Sequence, residues 1–109
     1  MDTSTAQHTT DEMAHGRFTE ENDIFIIALY MGTSFKWKKI QDEFRARFKS
    51  KANHKDIESR WYKRLKGSEL VLAVDDFRHT RILKDDQHRD AILAVVAVLA
   101  AYSAAERAF

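Results

Sequence analysis

Apolar residues recur at helical spacing in three successive stretches and then crowd into one unbroken run. The clearest stretch is 53–67. At 100° per residue, Ile57, Trp61 and Leu65 stack on one stripe, and Lys55, Ser59, Tyr62, Lys63 and Lys66 fall on the opposite side. Asn53 suits the N-cap, Asp56 the first turn and Gly67 the stop after the last periodic residue. Such a helix buries a Trp and shows lysines and a tyrosine outward. That fits a nucleic-acid groove, and it equally describes a core helix with a solvated charged face.

Upstream, Thr19 is the expected N-cap of a first helix, with Glu20, Glu21 and Asp23 at the positive end of its dipole. Ile24, Ile27, Ala28 and Met31 form its inner stripe. Phe25, Ile26 and Leu29 widen the apolar surface beyond what a three-helix core needs, and Gly32 ends the helix. A second helix is expected over 36–49, capped by Ser34. It turns Trp37, Ile40, Phe44 and Phe48 inward and Lys38, Lys39, Arg45 and Lys49 outward. Residues 50–52 then turn the chain into the third helix.

Residues 69–83 read two ways, as an extension of the third helix or as a separate apolar clip. A further helix is expected from about Asp85, with Asp85 and Asp86 in its first turn. It carries the run 91–102, which is apolar around its whole circumference and so wants cover on every side. One solution is a symmetric dimer, seamed along Ile92, Val96 and Leu99 or along Leu93, Ala97 and Ala100. The other packs the helix beside Phe25, Ile26 and Leu29 of the same chain. Residues 1–16 show no apolar periodicity and are expected to be a disordered tail, and only Arg17, where it ends, could serve a minor groove.

At 109 residues the chain has room for one modest core. Its net charge of +1 hides an asymmetry: residues 36–66 hold twelve Lys and Arg against four Asp and Glu, a balance of +8 that leaves −7 for the rest. A basic centre between acidic flanks points to a polyanionic partner. The absence of cysteine excludes disulfides, thiolate zinc sites and thiol catalysis. With no proline and three glycines, helix is favoured throughout. A secretory leader is not expected from the polar, acidic start, and 91–102 is too short to span a bilayer, so no membrane partner is expected.

His8, His15, His54, His79 and His88 lack the i, i+4 partner of a zinc helix, and Asp85, Asp86 and His88 read as helix N-terminal charge. No phosphate loop, nucleophile elbow or paired-carboxylate motif occurs. Neither catalysis, nor a metal, nor a cofactor is expected. His54, at the start of the third helix, could meet a phosphate or simply cap the helix.

Three phrases carry a family resemblance: Phe18-Thr19-Glu20-Glu21-Asn22-Asp23, Trp37-Lys38-Lys39-Ile40 and Ser59-Arg60-Trp61-Tyr62. Together they resemble a single Myb/SANT repeat, which buries three spaced aromatics, one from each helix. Here these are Phe18, Trp37 and Trp61, at separations of 19 and 24 residues; the second is several residues long for the family, with the insertion in 45–53. Residues 55–61 are similar to the third helix of telomere-binding Myb domains, including the Rap type. The resemblance spans 17–67, with 68–109 left as a linker and C-terminal helix.

The resemblance implies an all-α fold, a three-helix helix-turn-helix domain plus the apolar C-terminal helix, in a nuclear, chromatin-associated protein. Phe18, Trp37, Ile57, Trp61 and Leu65 would be structural. The third helix would read double-stranded DNA in the major groove, with Lys55, Ser59, Tyr62 and Lys63 near bases and Asp56 at the edge. Lys36, Lys38, Lys39, Arg45, Lys49, Lys51, His54 and Lys66 would meet phosphates. The chain departs from the telomeric pattern at Glu58, Ser59 and Tyr62. Some SANT and Rap-type relatives bind proteins instead, which makes a chromatin-protein adaptor the alternative.

Overall fold

The computed structural model describes residues 18–84 and 86–102, and every regular element among them is helical. The helices are α1 (Glu20–Gly32), α2 (Trp37–Phe48), α3 (His54–Arg60), α4 (Glu69–Thr80) and α5 (Arg89–Ala100). The third helix runs on from α3 into a π-helical turn, Trp61–Leu65, and a 3₁₀ turn, Asp86–His88, leads into α5. The tail 1–16, Arg17 and Asp85 lie outside the described residues.

Thr19 caps α1 as its sequence predicts, and Asn22 closes a capping box. The Asn22 amide donates to Thr19 Oγ1 at 3.1 Å, and the Thr19 amide donates to Asn22 Oδ1 at 2.9 Å. Both first-turn amides thus have partners without help from water. Along α1, Phe25, Ile26, Ile27, Ala28 and Leu29 are all fully buried. Five consecutive buried residues cover more than one full turn, so α1 is the central helix and is covered from several sides. Ile24 and Met31, placed on the inner stripe by spacing alone, are only half-buried. Phe25, Ile26 and Leu29 are no surplus: they belong to the same core as Ile92, Val95 and Leu99 of α5.

Gly32 shows how closely α1 and α5 approach. A Cβ built there would lie 2.5 and 2.6 Å from the two Leu99 methyl carbons, closer than carbon atoms pack. Ile92 and Leu99 are therefore committed to the chain's own core, at 2% and 6% exposure. This corrects their assignment to a dimer seam: a side chain buried against α1 is not available to a second copy. The outer face of α5 carries Leu93 and Val96, at 44% and 37% exposure, with Ala97 and Ala100. The helix also starts later than Asp85, at Arg89.

Two further expectations are revised. Lys36, not Ser34, is the N-cap of α2, and no side chain caps it. Residues 69–80 neither extend the third helix nor form a clip. Gly67 takes a positive φ of 78°, a conformation that costs glycine little, and breaks the chain direction. Ser68 then caps α4 by accepting from the Val71 amide at 3.2 Å, and Val71 and Val74 turn into the core.

Candidate nucleic-acid interface

Two polar links fix the third helix on the helices beneath it, and a capping box closes its N-terminus. Gln41, buried on the inner face of α2, accepts from the His54 amide at 2.7 Å through Oε1 and donates to Asp42 through Nε2 at 3.2 Å. Asn53 and Asp56 form a second capping box, with amide bonds of 2.9 and 3.0 Å. At the other end of α3, Arg60 reaches Asp23 in the first turn of α1 with two bonds of 2.8 Å. That carboxylate bond raises the Arg60 pKa above its ordinary value, against the opposing effect of burial. The amides of Asn53, His54 and Asp56 at the start of α3 thus have protein partners, which leaves that N-terminus little to offer a phosphate.

Beyond Arg60 the helix widens: the Lys66 amide bonds back to the Trp61 carbonyl, five residues away, at 2.7 Å. Ile57, Trp61 and Leu65 are buried, as the spacing predicts. Trp61 packs against Tyr30 (ring centroids 4.3 Å apart), and Tyr30 stacks on Trp37 at 4.9 Å. Phe18 contributes elsewhere, edge-on to Phe44 at 6.0 Å and beneath the Arg60 guanidinium. The three spaced aromatics are therefore split between two ring clusters; Phe18 and Trp37 are half-buried. A side-chain hydrogen bond with Tyr62 is the main cause that raises the Tyr30 pKa, followed by burial.

On the outer face Lys55, Tyr62, Lys63 and Lys66 are exposed, and Ser59 is half-buried. Lys66 Nζ lies 5.3 Å from the centre of the Tyr62 ring. Lys36, Lys38, Lys49 and Lys51 are exposed as well. Three residues expected at phosphates have other duties. Arg45 donates to the carbonyls of Ala52 (2.8 Å) and Lys51 (3.2 Å), and so holds the long α2–α3 connection in place. Lys39 pairs with Glu43 at 3.1 Å. His54 is half-buried, with its amide taken by Gln41.

Sequence reasoning missed Gln41, Tyr30 and the Asp23–Arg60 pair. A trace of Gln41 was visible, since it is a polar residue four after Trp37 on the inner side of α2. Nothing in the local pattern pairs Asp23 with Arg60. Among the described residues no three His, Asp or Glu come together as a metal site, and no helix is long and apolar enough to cross a membrane. No family model, curated protein or solved structure matches the chain.

Proposed function

We propose that the chain is a double-stranded DNA-binding module of Myb-like helix-turn-helix type, built from α1, α2 and the third helix. One observation carries the reading. Lys55, Tyr62 and Lys63 project from the face opposite Ile57, Trp61 and Leu65, and neither lysine is in an ion pair among the described residues. Lys36, Lys38, Lys49, Lys51 and Lys66, on α2, the connection and the end of the π turn, are exposed as well. Cations left unneutralised by their own chain await an anion, and a duplex supplies one in a regular array.

In this account those five lysines meet phosphates and set affinity and its salt dependence. Lys55, Ser59, Tyr62 and Lys63 approach base edges and set preference. The Gln41–His54 and Arg60–Asp23 links hold the third helix ready, so little ordering entropy is lost on binding. A lone repeat covers about 600–1,000 Å² of protein surface, a modest footprint.

The adaptor reading keeps one observation of its own. Glu58 lies close enough to Tyr30 to raise the pKa of its hydroxyl, which puts an acid beside the basic stripe. Titration of a labelled duplex at several salt concentrations separates the two. DNA binding predicts that the logarithm of the affinity falls linearly with the logarithm of salt concentration; an adaptor leaves the duplex unbound at physiological salt.

A further inference from the structure

We propose that the outer face of α5 is the seam of a two-fold, antiparallel dimer, in which Leu93 and Val96 of one copy pack over Ala100 and Ala97 of the other. The proposal stands apart from the DNA reading.

The face is bare. Among the described residues six large apolar side chains are exposed, and four of them, Leu72, Ile82, Leu93 and Val96, lie on or between α4 and α5. No Asp, Glu, Lys, Arg or His occurs from 91 to 105, in a chain that is 32% charged. An uncharged helix face of this kind marks an interface.

Its pattern fits a second copy. About an axis between Val96 and Ala97, antiparallel pairing sets Leu93 against Ala100 and Val96 against Ala97, two large side chains against two small ones. Parallel pairing would stack Leu93 on Leu93 and bring Arg89 to Arg89 and Asp90 to Asp90, like charge to like. The rim has both signs, with the exposed Arg89 and Asp90 at the N-terminal end of α5 and Glu21 and Arg47 along one side. In the antiparallel register Arg89 and Asp90 of the two copies lie at opposite ends of the seam, so no like charges meet there. A lipid surface would instead call for a basic rim, and the chain's bases are concentrated on α2 and the third helix.

Area decides how far the contact extends. A stable pair needs about 800 Å² from each partner. With twelve residues α5 is about 18 Å long, so its stripe alone falls short. Clefts flank the helix on both sides. One, of 240 Å³, is floored by Ile24, Phe25 and Phe48; the other, of 450 Å³, holds Leu72 and Ile82. Covering them enlarges the contact but keeps it below that size, so the pair should be weak and concentration-dependent.

Sedimentation of the full chain without DNA tests the proposal. A dimer is expected at concentrations on the order of tens of micromolar. Leu93→Glu and Val96→Glu, both at exposed sites, should weaken it about tenfold or more while the helical spectrum is retained. Because the chain has no cysteine, register can be read by crosslinking. Oxidising a mixture of Leu93→Cys and Ala100→Cys chains should give a crosslinked pair, and neither variant alone should do so. A monomeric parent, a dimer indifferent to both Glu variants, or crosslinking of either Cys variant by itself would overturn the proposal. None of these results bears on whether the basic face binds DNA.

Discussion

Arg60 at the end of α3 grips Asp23 in the first turn of α1 with two bonds of 2.8 Å, across 37 residues of sequence. Its guanidinium also lies 5.5 Å from the centre of the Phe18 ring. Both charged side chains are largely covered, at 21% and 15% exposure, so solvent screens them less than a surface pair. Together with the Gln41–His54 bond and the buried Ile57, Trp61 and Leu65, this contact holds the third helix, and with it the basic stripe, in place.

Replacing Arg60 with Ala should therefore cost about 1–3 kcal/mol, because it strands the Asp23 carboxylate. Arg60→Lys should recover only part of the loss, since an ammonium cannot make the paired bonds. Denaturant midpoints of Arg60→Ala, Asp23→Ala and the double variant would measure the coupling. Strictly additive losses would mean that the two side chains do not act together.

Trp61 anchors the third helix at 5% exposure, in ring contact with Tyr30. Trp61→Ala should remove about 3–5 kcal/mol, a large part of the about 5–15 typical of a small domain. Thermal unfolding followed by circular dichroism should show a melting temperature far below that of the parent, or no cooperative transition. A variant that melts like the parent would place Trp61 outside the core.

Tyr102 should make stability sensitive to alkali. Burial, followed by its hydrogen bond to Glu43, pushes its pKa up to about 12, with Arg47 opposing. In the unfolded chain the phenol ionises near its ordinary value of about 10. The stabilisation is complete below about pH 10 and is lost as pH rises through about 12, because the unfolded state releases this proton first. Chemical denaturation across that window should show a steeper loss of stability in the parent than in Tyr102→Phe.

Much of this was legible in the sequence wherever a local rule decides. The Thr19 and Asn53 caps, the inward Ile57, Trp61 and Leu65, and the stop at Gly67 each depend on residues within one or two turns. Long-range choices were not legible. Apolar residues on every side of 91–102 require cover but do not name it, and contacts such as Gly32 with Leu99 and Phe25 with Tyr102 assign one side to α1. The basic stripe was visible as charge. That Arg45 is tied to its own loop, and that Gln41 takes the His54 amide, follows from packing that no spacing rule encodes.

Whether the third helix reads duplex DNA is decided by titrating one labelled duplex with the parent and with a Lys55→Ala/Tyr62→Ala/Lys63→Ala variant. Lys55 and Lys63 are exposed, whereas Tyr62 bonds Tyr30 and packs on Trp37, so the variant should melt modestly below the parent and stay folded at the temperature of the titration. Duplex affinity should fall by about tenfold or more, since each lost phosphate or base contact costs on the order of a kcal/mol. Unchanged affinity in a folded variant would contradict the DNA reading and leave the third helix without the role proposed here.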